Sequence, residues 1–550
     1  MSDLLDDVAA TAGLTVFGAA SVPGAIDARS RLAPFPSVFA GLSAESSRAL
    51  LPQIAAVRAE LRARGLDHVV LCGMGGSSLA AEAIARTLGV PLRVLDTTDP
   101  HEVRAALADR LDRTVVVVAS RSGSTVETDD HRRAFLQAFD DAGLQDLGRR
   151  FVIVTDPGTP LATTAREMGA YLFLGDPAAG GSPRNSALTA FGLVPSGLAG
   201  VSDAALRALL DEAAALFTAP PPSFTAGFSP SPLPVPTSTS SPLPAAVDDP
   251  AVALGAALAA GALAGRDKLA LASDGTGLDG LADWIELLVA GATGKSGRGL
   301  VPVVLESPVA WGHEGDDVLS VTVGGVLGRG VLPGGGIAPD LAVNGPLGAQ
   351  FLVWEAAAMV AARLLGVDPF DQPDVAESQE HTRRILDAGL RPDPPAFVEG
   401  AIEVYGATTA TTLIAAIDEL GRGVRPHGYL AVLAFLDRVG DARAAEVRTL
   451  LAARVPRVVT FGWGSRALHS TGQLHKGGPA TGSFLQITGA VTRDLPVPGR
   501  PYTFGELQAA QAAGDRQALT GHDQRDRPLL RLHLTDRTTG IDQLLAALGG

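Results

Sequence analysis

From Ala119 to Asp130 the sequence reads ASRSGSTVETDD, immediately after a run of four valines. Ser120, Ser122, Ser124 and Thr125 crowd four hydroxyls around Gly123, whose missing side chain lets the backbone curl. A helix opening at about Thr125 adds unpaired N–H groups, and together these donors suit a phosphate dianion. The competing use of the same residues is an ordinary hydroxyl-capped helix start. A second glycine turn, CGMGGSSLA at 72–80, also joins a strand to a helix. Gly73 and Gly75, with Asp96 further on, approach a dinucleotide fingerprint, but Ser78 stands where the third glycine belongs. GATGKS at 291–296 imitates a phosphate-binding loop; the spacing demands glycine at 289, which is Val289, so it is not one. LHSTGQLHKGGP at 468–479 gathers His469, His475 and Lys476, two imidazoles and an ammonium suited to proton transfer or charge stabilisation. Lysine is scarce, at Lys268, Lys295 and Lys476 alone, against 44 basic residues in all. Where arginine has displaced it elsewhere, a retained ammonium is a candidate for work a guanidinium cannot do.

Turns of this kind work only where a sheet holds them. DHVVLCG, PLRVLD, RTVVVVAS, RRFVIVTD and AYLFLG read as apolar strands separated by helical stretches, the pattern of a parallel sheet covered on both faces. The same alternation resumes in RDKLALAS, LADWIELLVA and GLVPVVLES, and further strands are expected in GYLAVLAFL, RVVTFG, SFLQITG and LLRLHL. Between the two runs, residues 216–250 are dense in Pro, Ser and Thr and read as a linker or surface loop. The expected division is a helical lead-in over 1–50, a first domain over 51–215, the linker, and a second domain with a C-terminal extension over 251–550. Each domain is expected as a doubly wound parallel sheet in an αβα sandwich.

Composition narrows the partners. A net charge of −15 argues against a nucleic-acid surface, and the most apolar stretch, 251–265, is too short to span a bilayer. The single cysteine, Cys72, excludes a disulfide framework and fits a reducing compartment, so a cytoplasmic location is expected. No metal-ligand spacing is present, and neither metal nor cofactor is expected.

The GMGGSSL and SRSGSTVET turns resemble the paired turns of the sugar isomerase (SIS) domain. With DPFDQPDV at 368–375, LHSTGQLHKGG and GATGKSGRGLVPV, the chain is similar to the phosphoglucose (glucose-6-phosphate) isomerase family over roughly residues 60–510, nearest to the bacterial form fused to transaldolase. That resemblance implies two SIS-type α/β domains and metal-free interconversion of glucose 6-phosphate and fructose 6-phosphate. It implies a sugar-phosphate partner, and a homo-oligomer is expected. By motif position, Ser120, Ser122, Ser124 and Thr125 would hold the phosphate, and Gly76, Ser77 and Gln372 the sugar. His469 would help open the ring, and Arg184 of GGSPRNSALTAFGLVP would stabilise the enediolate.

The departures fall on the chemistry. The family's base is a glutamate, and the matching residue here is Gly291. The family's lysine follows the FDQ motif by seven residues, which here is Gln379. The histidine motif also follows FDQ rather than preceding it as in many relatives. Between Glu286 and Lys295 no side chain readily moves a proton. If the helix continues, Glu286 stands about 140° and roughly 7.5 Å away from position 291, facing elsewhere. Lys476 is the candidate replacement for the missing ammonium. The expectations are therefore an isomerase with attenuated turnover, a non-catalytic phosphosugar-binding sensor or partner subunit, or an NAD enzyme built on GMGGSS.

Overall fold

The computed structural model describes residues 8–11, 14–30, 44–176, 187–216, 249–310, 312, 314–327, 338–390, 393–521 and 527–549. Arg184 and nearly all of the Pro/Ser-rich segment at 216–250 lie outside the described residues.

Uninterrupted apolar strands build the first sheet: His68–Gly73, Arg93–Leu95, Thr114–Ala119, Phe151–Thr155 and Tyr171–Leu174. All its neighbours are parallel, and the spatial order is second, first, third, fourth, fifth. Strand order therefore reverses between His68–Gly73 and Thr114–Ala119, and a doubly wound sheet opens a crevice at such a reversal, beyond the strands' carboxyl ends. Gly73 and Ala119, the last residues of those two strands, are direct partners in the ladder. The CGMGGSS and SRSGST turns thus leave the sheet side by side.

The strands after residue 250 fall into two sheets, where one had been expected. Lys268–Ser273, Val301–Val304, Val318–Gly324 and Leu341–Asn344 form a parallel set. It is extended by the antiparallel hairpin Val8–Thr11 and Leu14–Phe17, which places strands inside the lead-in expected to be helical. The last sheet joins Tyr429–Phe435, Val458–Trp463, Gly482–Gly489 and Leu529–Leu534 in parallel, with antiparallel Ile402–Tyr405 and Phe397–Glu399 on one edge. The α/β class and the parallel pairing follow the sequence. The separation into two sheets does not, because identical apolar strands carry no mark of which neighbour they join.

Helices cover these sheets and fuse them. One continuous core runs from the first sheet through the apolar helices Pro250–Leu263 and Leu347–Leu365 to the second. Ala270, Val301 and Val303 of the second sheet pack with Tyr429, Leu433 and Phe484 of the third. Phe504, opening the Phe504–Gly521 helix, reaches back to the outer face of the first sheet with Phe135 and Phe151. Side chains hundreds of residues apart are thereby held at fixed separations.

Candidate functional site

The hydroxyl turn is shaped by Gly123 at φ +65°, a left-handed conformation that side chains disfavour. Thr125 occupies the N-cap of the Val126–Asp141 helix, yet its hydroxyl makes no cap bond. It pairs with Ser120 Oγ at 2.8 Å, and Ser120 Oγ accepts from the Gly123 amide at 3.2 Å. Ser124 donates to Ser122 at 3.0 Å, and both are exposed. The residues are therefore not spent on capping. The first N–H groups of a helix have no intrahelical acceptors, and here no side chain of the N-cap residue takes one up.

The neighbouring turn carries the Gly76–Thr87 helix, with Ser77 buried at its start. Gly75 adopts φ +58°, and a methyl group there would sit 2.9 Å from the His469 carbonyl oxygen and 3.6 Å from Leu287 Cδ1. Position 75 is thus a close-approach glycine: the histidine loop and the Leu281–Thr293 helix both bear on it. That helix does continue through Gly291, which is buried inside it rather than in a loop. Leu287 and Gly291, four residues apart, share the face turned towards the glycine turn. Position 291, on that face, has no side chain. Glu286, on an adjacent face, is half-buried; burial and then the Asp283 charge push its carboxyl up to about 8, against the pull of Arg466.

His469 follows the short Gly464–Leu468 helix. That helix is anchored to the first domain by Arg466, which donates to Asp96 at 2.7 Å and Glu82 at 2.6 Å. Asp96 also accepts from Ser78 Oγ at 3.3 Å and is 1 % exposed. The acid required for the ribose of a dinucleotide is consumed by this ion pair.

His469 Nε2 lies 2.8 Å from Glu127 Oε1, across 342 residues of sequence. The same oxygen accepts from Gln511 Nε2 at 2.7 Å, while Gln511 Oε1 accepts from Thr98 at 2.6 Å and Ser465 at 2.8 Å. Two hydroxyls on the amide oxygen fix which end of Gln511 meets the carboxylate. Burial works against charge on both partners, but their mutual attraction prevails. The imidazolium beside Glu127 holds its carboxyl at about 2, and the carboxylate raises His469.

The second histidine of the same motif has the opposite fate. His475 is 3 % exposed, stacks on Tyr429 and lies 3.0 Å from its hydroxyl through Nδ1. Burial, aided by Lys476 and Arg527, lowers it to about 3, so it is a neutral core residue. Lys476 is likewise interior: its ammonium contacts Asp515 at 2.6 Å, both side chains nearly inaccessible. The ammonium considered for catalysis is committed to that carboxylate.

Gln372 lies at the N-cap of the Pro373–Ala388 helix. Its loop is tied to the site on two sides. Lys295 Nζ donates to the Asp368 and Asp371 carbonyls at 2.5 and 2.6 Å, and Gln473 donates to Asp374 at 2.5 Å and to the Gly294 carbonyl at 3.1 Å. Gln379 is exposed on the same helix. Among the described residues, one group has liganding reach for a metal, Asp316, Asp317 and His427, and Lys268 Nζ already sits 3.4 Å from Asp317.

The structure therefore sets the glycine turn beside the strand end at Ala119, Leu287 and His469, and joins His469 to Glu127 of the helix that follows the hydroxyl turn; Gln372 lies in a loop held by Lys295 and Gln473. Sequence reasoning missed Glu127, Gln511 and Arg466. Glu127 left a signal: a carboxylate two residues beyond an anion turn repels the anion unless a cation pairs with it.

No family model matches the chain. Among curated proteins, it is 39% identical over 161 residues to a glucose-6-phosphate isomerase of Acaryochloris marina, covering 27% of this chain and 28% of that one. It is 32% identical over 242 residues to a probable glucose-6-phosphate isomerase of Haloarcula marismortui, covering 43% and 49%. The chain is similar to glucose-6-phosphate isomerases. It spans half or less of the length of these relatives. A crystal structure of a glucose-6-phosphate isomerase from Chlamydia trachomatis shares the fold, with a TM-score of 0.53, 17% identity, and coverage of 70% of this chain and 91% of that one. A hypothetical protein from Thermus thermophilus does so with a TM-score of 0.50 and 21% identity, covering 66% and 95%.

Proposed function

We propose that the protein is an aldose–ketose isomerase acting on glucose 6-phosphate and fructose 6-phosphate, attenuated by the absence of a carboxylate at position 291. The observation that carries this reading is the meeting of the hydroxyl turn and the His469–Glu127 pair beside the glycine turn. The phosphate is held by Ser120, Ser122, Ser124 and Thr125 with the helix N-terminus. Gly76, Ser77 and Gln372 contact the sugar. His469, whose hold on a proton is strengthened by the Glu127 carboxylate, is the acid available to the ring oxygen on opening.

Moving a proton between C2 and C1 requires a base. Gly291 supplies none, and Glu286, pushed up to about 8, is protonated at neutral pH and cannot serve as a ready one. The lost group accounts for about 10²–10⁴ in rate, while binding and orientation are retained. Gly291 equally supports a second reading, a phosphosugar-binding subunit without turnover.

A coupled assay with fructose 6-phosphate, paired with calorimetry of 6-phosphogluconate, separates them. Attenuated isomerase activity means slow turnover that disappears in His469→Ala. Tight binding with no turnover above buffer selects the second reading. Failure to bind either ligand overturns both.

A further inference from the structure

The edge of the third sheet holds a hollow of about 620 Å³, bounded by the Leu413–Arg422 and Phe504–Gly521 helices and the start of the Leu529–Leu534 strand. Three arginines line it, Arg516, Arg527 and Arg531. Arg527 is 8 % exposed, and its Nη1 is buried without a hydrogen-bond partner. Arg531 lies with its guanidinium carbon 3.8 Å above the Tyr405 ring, and its Nε is also buried and unpartnered. An unpaired buried donor costs about 1–3 kcal/mol, more when charged. Both atoms are shielded from solvent, so an acceptor in the hollow meets them only if the Arg527 and Arg531 side chains turn towards it.

The carboxylates of the lining do not fill that role. Asp393 pairs with Arg516 at 3.2 Å, and Glu419 accepts from the Thr408 hydroxyl at 2.6 Å. Charge in the lining is three positive against two negative, on a chain whose net charge is −15. A positive hollow in an acidic protein marks a place where local donors act against the global field. Planar guanidinium groups match phosphate and carboxylate oxygens in pairs.

We propose that this hollow is a second binding site, separate from the hydroxyl turn, for a small metabolite bearing phosphate or carboxylate groups. One helix links it to the first site. Arg516 follows Asp515, the partner of Lys476, and the same helix carries Gln511, the donor to Glu127. Arg527 Nη2 reaches the Gly478 carbonyl at 3.5 Å, at the end of the helix that bears Lys476.

Calorimetry on the full chain with inorganic pyrophosphate, and separately with citrate, tests this. Two classes of pyrophosphate site are expected, one lost in Ser122→Ala/Ser124→Ala and the other weakened tenfold or more in Arg516→Gln/Arg531→Gln. Should that double variant fold poorly, Arg516→Gln alone decides, since Arg516 lies on a helix surface; a threefold or greater weakening of the second class is expected. Citrate binding lost with the arginine variants, with no second pyrophosphate class, identifies a carboxylate ligand and also supports the site. A single pyrophosphate class removed by the serine variant, with no citrate binding, overturns the proposal. So does binding of both probes unchanged by the arginine substitutions.

Discussion

The turn at 120–125 and the helix end at 291 stand on either side of the same glycine turn, and they have been treated very differently. The first keeps every group an anion site needs: a left-handed glycine, four hydroxyls and a helix start left uncapped. The second offers no functional group, since Gly291 shares the helix face of Leu287, which packs towards Gly75, and carries no side chain. On the proposed function, holding a phosphorylated sugar and moving its proton are separable properties of one scaffold. The first depends on backbone geometry shared by many residues; the second rests on one side chain.

Restoring the carboxylate is the strongest way to break that contrast. Gly291→Glu is expected to raise fructose 6-phosphate turnover by about 10²–10⁴ while leaving 6-phosphogluconate affinity within a few fold. An unchanged rate would mean that position 291 does not limit the reaction. Next in size is Lys476→Gln, which strands Asp515 in the interior without its cation. A loss of about 3–5 kcal/mol in denaturant unfolding is expected. A stable variant with altered turnover would instead make Lys476 a participant.

The intact side can be broken too. Removing two exposed hydroxyls by Ser122→Ala/Ser124→Ala is expected to weaken phosphosugar binding at least tenfold, because a hydrogen bond to a charged group contributes about 1.5–3 kcal/mol. The melting temperature should not move. Smallest is the pH response of the histidine pair. Glu127, lowered to about 2 from 4.5, contributes stability that is full above 4.5 and lost as pH falls towards 2. His469, raised above 6.5, contributes stability that is full below 6.5 and lost as pH rises through its folded value. Denaturation midpoints should therefore carry a plateau between 4.5 and 6.5 from this pair, flattened in Glu127→Gln.

The legible parts of the site were the short-range ones. A four-valine strand followed by SRSGST announces its own turn, because the strand, the left-handed glycine and the helix start lie within a dozen residues. The glycine at 291 could be read the same way. His469 and His475 could not be told apart, although they share one motif. One meets a carboxylate from residue 127 and the other the Tyr429 ring, and neither contact is written locally. Lys476 looked available for the same reason, since Asp515 lies 39 residues on, across a strand and a loop.

By itself, then, the sequence determined the parallel α/β class, the two turns and the absence of a base at 291, all set by local propensity and spacing. Tertiary structure alone decided that strands after residue 250 divide into two sheets, that Glu127 raises His469 while burial lowers His475, and that Lys476 is committed to Asp515. Those outcomes depend on pairings between distant segments whose partners are chosen by packing, and packing is a property of the whole chain.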